Sequence, residues 1–162
     1  MGCDIHINIF RISDEEIRLK KINSALETNE EVKKFPMVQM NYNLYDGRNY
    51  RLFSRLAGVR GSHDPLYEYR GKPDILVDEN EPMEFSTCGL DEWFYNGDLH
   101  SHTYIWLDEL VGDIRSGHFE DVGDYEGEFK MFIDSVLELE NHVLNELKIS
   151  LNSVIILIAF DN

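Results

Sequence analysis

Between Cys3 and Ile12 the chain alternates, with Ile5, Ile7 and Ile9 on one side and Asp4, His6 and Asn8 on the other. That period of two is what a half-buried strand imposes. Ser13-Asp14-Glu15 reads as a turn, and Ile17, Leu19 and Lys21 continue the alternation as the second arm of a hairpin. A short helix is expected around Glu30 to Lys34, ended by Pro36, because proline cannot donate to the helix ladder. After the turn Tyr45 to Asn49, the residues Tyr50, Phe53, Leu56 and Ala57 recur at helical spacing and Gly58 follows as a stop. The spacing predicts a helix over about residues 49–57.

Tyr104, Leu107, Leu110 and Val111 share one side of a helical wheel, with Asp108 and Glu109 between them. This predicts a helix from Thr103 to Val111, capped by Ser101 or Thr103, with His100 and His102 at its start. Tyr125 to Leu147 has the strongest helical stripe, carrying Phe129, Phe132, Ile133, Val136, Leu137, Val143, Leu144 and Leu147. Ser153 to Phe160 is almost wholly apolar and rich in β-branched residues, the composition of a central strand covered on both faces. Eight glycines and prolines punctuate residues 58–98, so that region is read as irregular, and an ordered loop of that length usually serves a function. The expected fold is α+β, one domain over residues 1–162. It has a mixed or antiparallel sheet whose first and last strands are central neighbours, and the long C-terminal helix packs on one face. The side bearing Asp4 and His6 is expected to face the loops of residues 58–102.

Composition narrows the function. With 162 residues, 43% hydrophobic and 28% charged, the chain can enclose a core of its own. Thirty-one acidic against fifteen basic residues give a formal charge of -16, which repels phosphate backbones and excludes general nucleic-acid binding. An acidic protein-interaction inhibitor or DNA mimic stays open as a further reading, although the acids are spread at ordinary surface spacing. Two cysteines, Cys3 and Cys88, fit a reducing compartment and a cytoplasmic protein. The opening MGCDIHINIF lacks a basic region and has His6 where an acylation signal wants Ser or Thr, and Val154 to Phe160 is too short to span a bilayer. No membrane partner is expected.

Three groups of residues could carry chemistry. Asp4 and His6 project from the same strand face, so both can reach one ligand. Gly97-Asp98-Leu99-His100-Ser101-His102 places three potential metal ligands at alternate positions. With Asp4, His6 and Asp161 they could make a site for one or two divalent ions, or hydrogen-bond ribose or phosphate directly. Arg48, Arg51, Arg55, Arg60, Arg70 and Lys72 gather six of the fifteen basic residues within 25 positions. Guanidinium forks match phosphate oxygens, and Gly58, Gly61 and Gly71 permit close backbone approach. Nearby carboxylates such as Asp46, Asp64 and Asp74 could equally pair with them. Aromatic residues crowd the middle of the chain, and one beside a glycine loop could stack a base. No phosphate-binding loop, dinucleotide fingerprint, nucleophile elbow or paired C-x-x-C is present.

The segments MGCDIH, RNYRLFSRLAGVRG (Arg48 to Gly61), YRGKPDI (Tyr69 to Ile75), GDLHSHTYIWLDEL (Gly97 to Leu110) and the closing FDN together resemble a family of small phage and prophage proteins. In that family the histidine segment is closer to HSxSWL, so the resemblance reaches His100 and Ser101 rather than His102. It implies a phage-encoded accessory protein of the bacterial cytoplasm. By analogy of class, it suggests a device against host defence that sequesters cyclic dinucleotides or cyclic ADP-ribose isomers.

The leading expectation is a binding protein rather than an enzyme, free of cofactor, as a monomer or a homo-oligomer. In it Arg48, Arg51, Arg60 and Arg70 meet phosphate, and Asp4, His6, His100 and Ser101 meet ribose or base edges. The alternative is a metal-dependent phosphodiesterase or hydrolase in which Asp4, His6, Asp98, His100 and His102 hold Zn or Mn.

Overall fold

All seven residues of the last strand, β4 (Val154–Phe160), are buried, and that explains the architecture around it. Val154, Ile156, Ile158 and Phe160 enter the larger core cluster, while Ile155, Leu157 and Ala159 enter a second one. Such a strand must lie inside a sheet with both faces covered, since each large side chain removed from water contributes about 1.5–3 kcal/mol. In the computed structural model, which describes residues 2–12, 37–61, 64–68, 70–71, 97–120 and 128–161, that place lies between β1 (Ile5–Ile12) and β3 (His100–Trp106). A short strand, β2 (Met37–Met40), flanks β1, and the order is β2-β1-β4-β3 with every pairing antiparallel. The fold is α+β, and the first and last strands are the central pair, joined over a register from Ile5 opposite Phe160 to Arg11 opposite Val154.

The helices lie on the side of Ile5 and Ile9. Helix α1 (Tyr50–Ala57) begins at Asn49, whose side chain accepts from the amides of Arg51 and Leu52 at 3.1 Å each. It ends at Gly58, in the left-handed region at φ 74°, whose amide returns to the Ser54 carbonyl at 2.8 Å. A residue with a β-carbon is strained there, so glycine fits the stop. Helix α2 (Leu107–Arg115) follows β3 directly. Helix α3 (Glu128–Asn141) continues into a π turn (His142–Glu146), and a 3-10 turn (Leu151–Ser153) leads into β4. Phe129, Phe132, Val136, Leu139 and Val143 form the buried stripe of α3 and its continuation, at the 3–4 spacing of a core-facing helix. Arg115 and the buried carboxylate of Glu140, 2.6 and 2.7 Å apart in a fork, tie α2 to α3. Among the described residues no helix is long and apolar enough to cross a membrane.

Two sequence expectations need revision. The helix anticipated from Thr103 is a strand as far as Trp106, and helical structure begins only at Leu107. Thr, Tyr, Ile and Trp in succession suit a pleated strand, and pairing with β4 decides the matter. Neither Ser101 nor Thr103 caps a helix: the Thr103 hydroxyl donates to the Tyr67 carbonyl at 2.6 Å. Leu144, expected in the buried stripe, is instead 45% exposed, because the π turn adds a residue and rotates its own side chains off the helical stripe. The hairpin arm at residues 17–21, the helix at 30–34 and most of the 58–98 region lie outside the described residues. Leu99, just beyond that region, packs with Phe10, Leu157 and Ala159 on the face opposite the helices.

Candidate functional site at the end of the sheet

Antiparallel pairing brings the start of β1, the end of β4 and the start of β3 to one end of the sheet, where Ile5, Phe160 and His100 form a row. Asp4 and Asp161 meet just beyond it. The Asp161 amide donates to the Asp4 carbonyl at 3.1 Å, and the Asp4 amide donates to Asp161 Oδ1 at 2.9 Å. His6 Nε2 lies 3.0 Å from Asp161 Oδ2, so both carboxylate oxygens are engaged. These bonds hold the Asp161 carboxyl below the usual carboxylate range, the His6 bond most and the Asp4 amide next. Asp161 therefore organises the segment that sequence alternation picks out at Asp4 and His6.

Arg48 reaches the same place from the turn before α1. Its Nε donates to Asp4 Oδ1 and its Nη2 to Asp4 Oδ2, the latter at 2.8 Å. The Asp4 carboxylate in turn raises the guanidinium's pKa. Gly2 leaves room for this approach, since a β-carbon there would push the Arg48 guanidinium aside. Both partners of the pair are about half exposed, so the pair itself adds little to stability. Beside it, the Cys3 amide donates to the Tyr50 hydroxyl at 3.2 Å. Cys3 is fully buried, and burial raises its thiol pKa against the opposing pull of Arg60, so it is not a thiolate nucleophile. Arg60 is exposed, with its backbone at φ 55°.

His100 lies at the same end of the sheet, across β4 from Ile5. Its Nδ1 lies 2.9 Å from the Ser101 hydroxyl, and its ring centroid is 6.4 Å from that of Phe160. Phe160 in turn packs on Phe53 of α1 at 5.1 Å, so His100 lies on the α1 side of the sheet, near the element that presents Arg48 and Tyr50. The β3–β4 register is irregular between His100 and Thr103, and Ser101 occupies φ 53°.

The remaining candidates lie elsewhere. Arg51 is in the first turn of α1. Arg70 is held in a fork by Glu109, with Nη1 to Oε2 at 2.7 Å, and covers the ring of Tyr67 at 5.1 Å. It is therefore committed near the start of α2 and not brought to the sheet end. Arg55 donates to the backbone carbonyls of His118 and Asp64. Asp98 lies in an exposed turn, and His102 is buried within β3 with its carbonyl accepting from Gly71. Among the described residues no three His, Cys, Asp or Glu side chains are placed to hold one ion. Clefts of 430 and 700 Å³ run along Tyr42, one toward Asn8 and Gln39 and the other toward Glu138 and His142; none of the sheet-end residues lines them. The Tyr50 hydroxyl and the anchoring of Asp161 escape sequence reasoning, since helical spacing marks Tyr50 only as core.

Comparison of the chain with protein-family models, with curated proteins and with solved structures gives no match.

Proposed function

We propose that this protein captures a nucleotide-derived small molecule at the end of the sheet and holds it without cleaving it. The observation that carries the reading is the meeting of Gly2–His6, Arg48–Tyr50 and Asp161, three stretches distant in sequence, in one polar cluster of an otherwise acidic chain, with His100 two strands away at the same end of the sheet. Arg48 spends two of its five N–H donors on Asp4, which leaves three for a phosphate. Arg60 supplies further positive charge nearby. The carboxylates of Asp4 and Asp161 accept from ribose hydroxyls, and His6 takes either part. Arg51 lies in the first turn of α1, and Arg70 belongs to Glu109 and is left out. The cyclic dinucleotides and cyclic ADP-ribose isomers used as immune signals have this combination of phosphate and ribose. The resemblance to phage proteins at MGCDIH and around Arg48 to Gly61 favours an accessory protein that removes such a signal from the host.

The test is direct. Protein incubated with cyclic dinucleotides and with cyclic ADP-ribose is separated from free ligand, heat-denatured, and the supernatant identified by mass spectrometry. Near-stoichiometric recovery of one intact compound is expected, and Arg48→Ala should lower it about tenfold, the loss of one charge-assisted contact. Failure to retain any of them overturns the reading.

A metal-dependent phosphodiesterase is the second reading, kept for the paired His6 and Asp161, to which a third ligand would have to move, since no three such side chains among the described residues are placed to hold one ion. The same incubation with added Mn or Zn distinguishes them: linear products in the supernatant would support hydrolysis over capture.

A further inference from the structure

His100 combines three features that rarely coincide without cause. Its Nε2 is buried and has no hydrogen-bond partner among the described residues, although a buried polar nitrogen normally finds one and is costly when it does not. The residue after it, Ser101, holds a left-handed backbone at φ 53° with a β-carbon in place, a conformation that persists only where the surroundings enforce it. The ladder between β3 and β4 also breaks its register between His100 and Thr103, and bulges of this kind re-aim a side chain, often beside an active site. The Ser101 hydroxyl fixes the other ring nitrogen at 2.9 Å. Together these features turn an imidazole, held by its neighbour, so that one nitrogen lies unused.

Resting on the capture reading, we infer that His100 is the specificity-determining residue and that it receives the heterocyclic base of the ligand. The opposite end of the nucleotide stays with Arg48, Asp4 and His6. The physics of the two ends selects this orientation. The Arg48–Asp4 pair is about half exposed, so a phosphate can stay partly hydrated there. At Nε2 there is no solvent, and a charged group would have to be stripped of its water to reach it, which is expensive. A neutral partner is favoured. The His100 ring sits beside that of Phe160, tilted by 32°, so its neighbour there is a flat apolar ring. A ribose carries hydroxyls around its whole rim and would leave some of them unmet. Nε2 can donate or accept, depending on how the Ser101 hydroxyl turns, and a base edge offers both kinds of group side by side. His100 lies two strands from Ile5 across the sheet, about 10 Å at the usual strand spacing, within the reach of a nucleotide.

The experiment uses the unaltered, ¹⁵N-labelled protein. Long-range ¹H–¹⁵N spectra of the histidine rings and the arginine Nε signals are followed while cyclic di-AMP, cyclic di-GMP, cyclic ADP-ribose and base-free ribose 5-phosphate are added separately. A compound with a base should move His100 Nε2 together with His6 and Arg48, whereas ribose 5-phosphate should move only His6 and Arg48. His100→Ala, shown to be folded by its melting curve, should bind the base-bearing compound about tenfold more weakly, the value of one neutral hydrogen bond. It should bind ribose 5-phosphate unchanged. If the nucleotide moves His6 and Arg48 while His100 stays still, or if ribose 5-phosphate moves His100, this assignment is wrong and capture stands. If no compound moves any of the three, both fall.

Discussion

Asp161 carries more of the site than any other single side chain, since its two oxygens bind the Asp4 amide and the His6 ring. Its lowered carboxyl pKa sets the sign of a pH effect. A carboxyl depressed in the folded state contributes stability that is present above the ordinary carboxylate range and is lost as pH falls through the folded value. Asp161→Asn should therefore cost about 1 kcal/mol at pH 7, the worth of a partly exposed hydrogen bond. That difference should shrink as the medium is taken below about pH 4. Urea unfolding of both proteins at several pH values measures it, and a difference that persists unchanged in acid would contradict the assignment. Asp4 and His6 are legible in the sequence because alternation puts them on the same side of the chain, His6 within β1 and Asp4 just before it. The anchoring by Asp161 is not legible, because it depends on the register that sets Ile5 against Phe160, a fact of pairing between residues more than 150 apart.

At the scale of elements, what local chemistry decides could be read and what pairing decides could not. Helix α1 announces both ends, with Asn49 as an acceptor for two amides and Gly58 as the left-handed stop. Gly58→Ala should cost about 1 kcal/mol by forcing a β-carbon into that conformation, seen as a lower urea midpoint with an unchanged slope. An unaltered midpoint would mean that the turn relaxes freely. At β3 the apolar residues Tyr104, Leu107, Leu110 and Val111 imitate one helical stripe only because it runs across the junction of a strand and a helix. The strand portion owes its conformation to β4, outside any local window. The π turn at His142–Glu146 is hidden for a similar reason: nothing in its composition distinguishes it from the helix it extends.

Across the whole molecule, β4 joins the two core clusters. Leu157 is fully buried and packs with Phe10 and Leu99 on the face away from the helices. Leu157→Ala should cost about 2–5 kcal/mol, the range for a large apolar residue removed from a filled core, read from chemical unfolding. A loss below about 1 kcal/mol would show that this face collapses easily around the deletion. The position of β4 was foreseeable from its composition, since a run of seven apolar residues fits only the interior of a sheet.

That interior position governs when the sheet end is assembled. During synthesis the arginine-bearing turn and the His100 bulge leave the ribosome long before residue 161, yet β1 and β3 are joined into one sheet only through β4. Pairings so remote in sequence form slowly, because a long loop must close before they gain anything. A nascent or proteolytically clipped chain lacking β4 would have neither Asp161 nor the strand that aligns His100 with Ile5, so the sheet end is assembled in a single step with β4.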